Sequence, residues 1–235
     1  MKQNRFIRLL FPKRCPNCQQ IIQIDSDYCP CTGNSVTGIG ADFCEHCGRE
    51  ADNCVCGGKY SAYFEHLAAP FVYSGAIKSR LCSFKFYGEK SESRFFASHM
   101  SVKFSEAYPL VKPDIITYVP MTDRAQKKRG YNQSRLLAME LSKRLLVPCD
   151  ALLVKQKETS RQHDLSAEER TGNLIGAFGL ADGAETAGKT IVICDDIKTT
   201  GSTLSECAKV LKQAGAKDIY CLCAAISDYS PDLHF

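Results

Sequence analysis

Apolar runs bounded by Gly and Pro alternate with helical patterns through the C-terminal two thirds of the chain. Within the last predicted helix Leu204, Cys207, Ala208 and Leu211 recur at helical spacing, and Gly215 follows as a C-cap. Strand, helix and strand in succession predict an α/β fold, a parallel sheet flanked by helices with right-handed crossovers. The predicted strands are residues 115–119, 152–155, 190–194 and 218–226, and the predicted helices are residues 134–146 and 202–214.

The first part of the chain has a different composition. Residues 15–58 are rich in Cys, Gly, Asn and Asp and hold few large apolar side chains, so this segment cannot build a core without metal. The character changes after Tyr60, which places a domain boundary near residues 57–62. We therefore expect a Cys-rich zinc-binding module at residues 1–58 and an α/β domain at residues 59–235.

Eight of the 14 cysteines fall in close pairs between Cys15 and Cys56, a spacing typical of zinc ligands in a reducing compartment. Eight thiolates suffice for two structural Cys₄ sites, although either Cys-x-Cys pair could supply a single ligand. Local pairing is preferred and cross-braced pairing stays open. A purely structural role for the module and a role in contacting DNA are also both open. The predicted ligands are Cys15, Cys18, Cys29 and Cys31 on one ion and Cys44, Cys47, Cys54 and Cys56 on the other.

Length and charge narrow the class of protein. A chain of 235 residues with 44% hydrophobic content can bury a sizeable core, and a net charge of +4 is too small to argue for nucleic acid by itself. The apolar run within residues 1–14 is interrupted by Arg8 and is too short for a signal-peptide core. No stretch is long enough to span a bilayer. We therefore expect a cytoplasmic protein.

Residues 190–203 carry the strongest functional signal. An apolar strand ends in Asp195 and Asp196 and continues through a hydroxyl-rich turn into a helix. The carboxyl end of a parallel strand and the N-terminus of the next helix form a natural anion site, and adjacent carboxylates suit the hydroxyls of a sugar or a hydrated cation. The predicted phosphate-binding residues are Thr199, Thr200, Gly201, Ser202 and Thr203.

A second feature follows the strand at residues 115–119. Residues 122–133 hold four cations within six positions, on a predicted loop at the same edge of the sheet, where a pyrophosphate could be neutralised. A solvated charged turn is the alternative. The cations are Arg124, Lys127, Lys128 and Arg129.

The acid pair with its Thr/Gly-rich turn resembles the signature of the type I phosphoribosyltransferases. In that family the two acids hold the ribose 2′ and 3′ hydroxyls, partly through Mg²⁺, and the turn holds the 5′-phosphate. The resemblance therefore implies phosphoribosyl pyrophosphate (PRPP) and magnesium as ligands, with Asp195 and Asp196 as the catalytic pair. If transfer occurs, the protein is a glycosyltransferase that transfers a pentosyl group, and the resemblance leans toward an enzyme.

Further motifs resemble the ComF family over nearly the whole chain. They include Val119-Pro120, the run Arg129-Gly130-Tyr131-Asn132-Gln133, and the Cys-rich start. Arg161-Gln162, Arg170, Asn173 and Ala177-Phe178 also recur at the expected places, and Arg161 and Arg170 join the predicted substrate-binding residues. The resemblance implies a role in competence, the DNA uptake of natural transformation, with single-stranded DNA and competence-machinery proteins as partners at the inner face of the membrane.

Two departures and one decoy qualify this interpretation. Thr199 stands where purine-salvage relatives carry an acidic proton acceptor, and a hydroxyl cannot replace that base. Because the sequence ends at Phe235, we expect no C-terminal nucleobase hood, so an acceptor pocket would come from residues 71–100 or from the cysteine module. Residues 183–190 match a Walker A pattern, but Thr190 leads into a strand rather than a helix, which argues against an ATP site.

Three hypotheses remain: a PRPP-binding competence protein that handles single-stranded DNA, a metabolic phosphoribosyltransferase with an unknown acceptor, and a non-catalytic zinc and nucleic-acid-binding module. The intact acid pair argues against the third, and Thr199 argues against ordinary base salvage. For DNA, exposed aromatics beside cations are required, and residues 84–87 with Arg80 and Lys90 are the best candidate. A half-buried helix face is the alternative for the same residues.

Overall fold

A computed structural model describes residues 20–21, 36–54, 56, 62–156, 174 and 176–227. The strands are β1 (His66–Ala68), β2 (Phe71–Val72), β3 (Ile115–Tyr118), β4 (Leu153–Lys155), β5 (Phe178–Leu180), β6 (Thr190–Lys198) and β7 (Asp218–Ile226). The helices are α1 (Gly75–Phe86), α2 (Glu92–Ala107), α3 (Asp123–Arg129), α4 (Gln133–Leu145) and α5 (Ser202–Gln213), and a 3₁₀ turn covers Ala51–Asn53. No helix in these ranges is both long and apolar enough to serve as a membrane span.

The main sheet is parallel throughout. β7 pairs with β6, and β6 pairs with β3, while β1 and β2 pair in succession along the other edge of β7. The two central strands are apolar on both faces, as parallel strands covered by helices must be, and Ile191, Val192, Ile193 and Cys194 are all 0% exposed. This confirms the predicted α/β class with a parallel sheet and flanking helices.

Alternate residues of the strands feed two cores on opposite faces of the sheet. On one face α1, α2 and α4 pack on Val192, Cys194 and Leu222. On the other face α5 and the small β4–β5 sheet pack on Ile191 and Ile193. Helix α5 joins through the apolar stripe that the sequence predicts, Leu204, Cys207, Ala208 and Leu211, all of which are buried.

Three details of the predicted elements are wrong. The strand predicted at residues 152–155 begins at Leu153 and pairs antiparallel with β5, outside the main sheet. The strand predicted to stop at Cys194 continues to Lys198, because β7 offers pairing partners as far as Ile226. The cationic segment is the helix α3 rather than a loop. The Thr122 side chain caps its start by accepting from the Ala125 N–H, and Gly130, at φ 85°, ends it.

The rejected Walker A match is confirmed as a decoy. Thr190 opens β6, and its N–H donates to Asp114 Oδ2 at 2.8 Å. A phosphate-binding loop of that type opens a helix.

Described residues of the cysteine segment pack directly on the sheet. The Ile39 N–H donates to the Pro70 carbonyl at 2.9 Å, and the Leu67 N–H donates to the Glu45 carbonyl at 2.7 Å. Gly48 lies so close that a Cβ there would stand 2.2 Å from Leu67 Cδ2, and its φ of 75° already excludes most side chains. Residues 38–50 are therefore built onto the edge that β1 and β2 form.

Candidate functional site

The acid pair lies near the C-terminal end of β6, at the carboxyl edge of the sheet. Ser134, in the first turn of α4, donates its hydroxyl to Asp195 Oδ1 at 2.8 Å, and the Asp196 N–H donates to the same oxygen at 2.8 Å. Burial, together with the neighbouring Asp196 carboxylate, raises the pKa of Asp195 to about 7. The carboxyl of Asp195 is therefore partly protonated near neutral pH.

A lysine from another element meets the second acid. Lys85, near the end of α1, places its Nζ 3.0 Å from Asp196 Oδ1. The sequence predicts Lys85 within the candidate DNA-binding stretch of residues 84–87 and not at the acid pair. Lys85 follows the buried Phe84 in the helix. This position gives no indication that its ammonium group reaches the edge of the sheet.

The turn after β6 presents hydroxyl and backbone donors beside the acids. Gly201 caps α5 at φ 88°, a conformation that favours glycine. Thr200 Oγ1 shares a hydrogen bond of 3.0 Å with Ser202 Oγ and also accepts from the Ser202 N–H at 3.3 Å. Thr199 is exposed and Thr203 is half-buried in the first turn of α5. The start of a twelve-residue helix and these hydroxyls can hold an anion.

The predicted cations divide into two groups. Arg124, Lys127 and Lys128 are exposed on α3, which follows the carboxyl end of β3 and therefore lies at the same edge of the sheet as the acids. Arg129 is half-buried and donates to Gln133 Oε1 at 3.0 Å. Arg161 and Arg170 lie outside the described residues.

The second predicted ligand set comes together as local pairing predicts: Cys44, Cys47, Cys54 and Cys56. All four Sγ atoms lie within 4.8 Å of one another, with Cys44 to Cys56 at 3.6 Å, Cys47 to Cys54 at 3.7 Å and Cys54 to Cys56 at 3.3 Å. A tetrahedron with Zn–S bonds of about 2.3 Å has S···S edges of about 3.8 Å, so the thiols fit a zinc ion. Cys15, Cys18, Cys29 and Cys31 lie outside the described residues.

The cysteine cluster is linked to the acid-pair strand. Lys198, the last residue of β6, is buried and donates from Nζ to the Cys47 carbonyl at 3.1 Å. Thr199, the first residue of the turn between β6 and α5, follows it directly. The cysteine cluster and the candidate phosphate site are thus held together through the end of one strand.

Comparison with known proteins agrees with this geometry. The family model described as phosphoribosyl transferase domain matches residues 132–234. Competence protein F of Haemophilus influenzae is 31% identical over 221 residues, which cover 89% of this chain and 95% of that protein. The chain belongs to the ComF family. A more distant member, competence protein ComFC of Bacillus subtilis, is 25% identical over 205 residues, covering 83% of this chain and 82% of that protein.

Other relatives of this ComF-family chain match over a shorter region. DNA utilization protein YhgH of Escherichia coli is 41% identical over 117 residues, 48% of this chain and 51% of that protein. Among solved structures, one described as the allosteric regulatory enzyme of purine biosynthesis aligns with a TM-score of 0.41 and 18% identity, covering 61% of this chain and 30% of that one.

The ComF motif Arg129–Gln133 has a visible structural purpose. Asn132 caps α4 by accepting from the Arg135 N–H, and its amide nitrogen donates to the Val119 carbonyl at 3.0 Å, which ties the end of β3 to the start of α4. The Tyr131 hydroxyl donates to the Phe84 carbonyl of α1. This motif therefore positions both Ser134, the partner of Asp195, and the end of the helix that carries Lys85.

Proposed function

We propose that this ComF-family protein binds PRPP at the carboxyl edge of its main sheet. The observation that carries the proposal is the acid pair followed by the hydroxyl-rich turn and α5, with Ser134 and Lys85 arranged around the two carboxylates. Asp195 and Asp196 would hold the ribose hydroxyls, and Thr199–Thr203 would hold the 5′-phosphate. Arg124, Lys127, Lys128 and Arg129, with Arg161 and Arg170, would neutralise the pyrophosphate.

Magnesium is part of the proposal. Hard carboxylate oxygens together with the phosphate groups of a ligand are the environment in which proteins hold Mg²⁺, and Asp195 and Asp196 supply such oxygens. When bound, the ion would neutralise charge that develops on the departing pyrophosphate. Ser134 would keep the Asp195 carboxylate oriented by its hydrogen bond of 2.8 Å.

The biological role is proposed from the relatives. Three of them are named competence protein F, competence protein ComFC and DNA utilization protein YhgH. We infer that this chain acts in DNA uptake during natural transformation and handles single-stranded DNA. Its partners would be competence-machinery proteins at the cytoplasmic face of the membrane, and its location would be the cytoplasm.

The cysteine segment would serve this function as a structural zinc module. Cys44, Cys47, Cys54 and Cys56 have the donor set and spacing of a structural site, and residues around them pack on β1. A second ion on Cys15, Cys18, Cys29 and Cys31 is part of the same proposal. The division into residues 1–58 and 59–235 follows from it.

Transfer of the ribosyl group would make the protein a pentosyl transferase. Thr199 is exposed at the position where salvage enzymes carry a carboxylate base. An acceptor would therefore have to be acidic enough to lose its proton without that base, or be deprotonated by another group. This feature supports an acceptor other than a purine base.

Calorimetry of PRPP binding, with and without Mg²⁺, tests the proposal. We expect Asp195→Asn with Asp196→Asn to abolish binding while circular dichroism stays unchanged. Asp182→Asn, an exposed carboxylate in the turn before β6, is the matched control and should bind like wild type. Equal binding by the double variant and the wild type would show that the acid pair is not the site.

A further inference from the structure

Two aromatic side chains at the end of α1 face solvent. Phe86 is 64% exposed and Tyr87 is 78% exposed, whereas Phe84, two residues earlier, is fully buried against Tyr131. The core is therefore served by Phe84, and the two following rings contribute almost nothing to it. Exposed neighbouring rings of this size are costly to leave in water and are typical of a binding surface.

Cations from α3 and from the turn after α1 lie at this end of α1. The Arg129 guanidinium carbon lies 5.4 Å from the centre of the Phe86 ring, and Lys90 Nζ lies 5.0 Å from the centre of the Tyr131 ring. Lys127 and Lys128 are exposed on α3, the helix that ends at Arg129. We call Phe86, Tyr87, Lys90 and Arg129 the aromatic platform. Arg80, expected from the sequence to belong to this surface, does not: it is 2% exposed and its Nε donates to Glu92 Oε2 at 2.7 Å.

The platform adjoins, in the chain, the lysine that contacts the acid pair. Lys85, whose Nζ contacts Asp196, directly precedes Phe86 in the chain. The ring of Phe86 is in turn linked through Arg129 to α3, at the carboxyl edge of the sheet. A polymer lying on the platform would therefore lie at the same edge of the sheet as the proposed ribose site.

We propose that the aromatic platform binds single-stranded nucleic acid, with bases stacked on Phe86 and Tyr87 and phosphates neutralised by Lys90 and the cations of α3. Every base offers a flat face to such rings, and arginine or lysine beside a ring suits the adjoining phosphate. A duplex keeps its base faces covered, so the platform favours single strands. Glu89, exposed between Tyr87 and Lys90, reduces the positive charge without reversing it. This inference deepens the proposed handling of single-stranded DNA and rests on it.

Fluorescence anisotropy with the full chain and a labelled oligothymidylate of about 15 nucleotides tests the platform. We expect Phe86→Ala with Tyr87→Ala to weaken binding by about tenfold or more for each ring that holds a base. Phe86→Leu with Tyr87→Leu should be nearly as weak, because leucine keeps apolar surface but offers no stacking face. Tyr63→Ala is the matched control, since Tyr63 is 50% exposed with Lys209 Nζ 5.5 Å from its ring, on the α5 side of the sheet.

Each outcome decides between the platform and its alternatives. Full affinity in the alanine variant while the wild type binds would overturn the platform and leave the proposed function standing. Full affinity in the leucine variant would overturn stacking, and equal or tighter binding of the matching duplex would overturn the preference for single strands. A wild type that binds PRPP but no oligonucleotide would remove both the platform and the DNA part of the proposed function. PRPP affinity, measured by calorimetry, should be unchanged in the alanine variant.

Discussion

Lys85 Nζ lies 3.0 Å from Asp196 Oδ1, with the two side chains 20% and 12% exposed. The contact joins the C-terminal turn of α1 to the end of β6, two elements that are far apart in sequence. Two adjacent carboxylates repel each other, and a lysine at this distance relieves that repulsion. Lys85 therefore balances part of the negative charge of the acid pair.

Removing this lysine should change the titration of the other acid. The Lys85 charge lowers the pKa of Asp195, acting against the upward shift that comes first from burial and then from Asp196. We expect Lys85→Met to move the titration of Asp195 to higher pH, measured by carbon-detected NMR of its carboxyl group. Lys78→Met, an exposed lysine on the same helix, should leave it unchanged. An identical titration in the Lys85 variant would mean that the contact does not persist in solution.

The raised pKa of Asp195 also predicts how stability depends on pH. Its pKa is about 7 in the fold against an ordinary value of 3.8, so between these pH values the folded state holds a proton that the unfolded state has lost. The resulting stabilisation is full below pH about 3.8 and disappears as pH rises through about 7. Urea unfolding should therefore show that Asp195→Asn gains stability relative to wild type as the pH rises from about 4 to about 7. Asp182→Asn should show no such trend, and a flat difference for Asp195→Asn would contradict the raised pKa.

The central strands and α5 could be predicted from the sequence because their apolar patterns match their burial. The bounds of β7 are residues 218–226 in both, and α5 differs from its predicted range by one residue. The end of β6 could not be predicted this way. Its last residues include two carboxylates and a lysine, which a hydrophobic pattern assigns to a loop, whereas pairing with the apolar end of β7 keeps them extended.

The contacts that Lys85 and Ser134 make with the acid pair join residues that are distant in sequence, whereas the burial of Arg80 and the bounds of α3 have local signals. Arg80 occupies the same helical stripe as Ile77, Leu81 and Phe84, so its burial could have been predicted, but its partner Glu92 lies on another helix. Thr122 and Gly130 were available as start and stop signals for α3. Nothing local to Lys85 or Ser134 indicates that each would meet one of the two acids.

The cysteine cluster should be required both for metal binding and for the order of the turn between β6 and α5. We expect Cys44→Ser with Cys47→Ser to release zinc, measured by elemental analysis, and to lower Tm by at least about 5 °C, since structural zinc contributes folding free energy. Because Lys198 donates to the Cys47 carbonyl, amide exchange at residues 199–203 should accelerate as well. Cys82→Ser, a half-buried cysteine outside the cluster, should keep its metal. Intact zinc content in the double variant would exclude these residues as ligands.

The exposed lysines of α3 lie where they could serve PRPP, nucleic acid or both, and salt separates the two roles. Contacts to a nucleic-acid backbone release counterions, so each lost contact to a single strand reduces the slope of log affinity against log salt by about 0.7. Pyrophosphate held in a preformed site depends more on the geometry of its donors. We expect Lys127→Ala with Lys128→Ala to weaken PRPP binding in calorimetry and to flatten the salt dependence of oligothymidylate binding in anisotropy. Lys143→Ala, an exposed lysine that pairs with Glu140 on α4, is the control and should leave both unchanged. A double variant with unaltered PRPP affinity and salt slope would make this stretch of α3 a solvated surface, and loss of PRPP affinity alone would confine nucleic acid to Phe86, Tyr87 and Lys90.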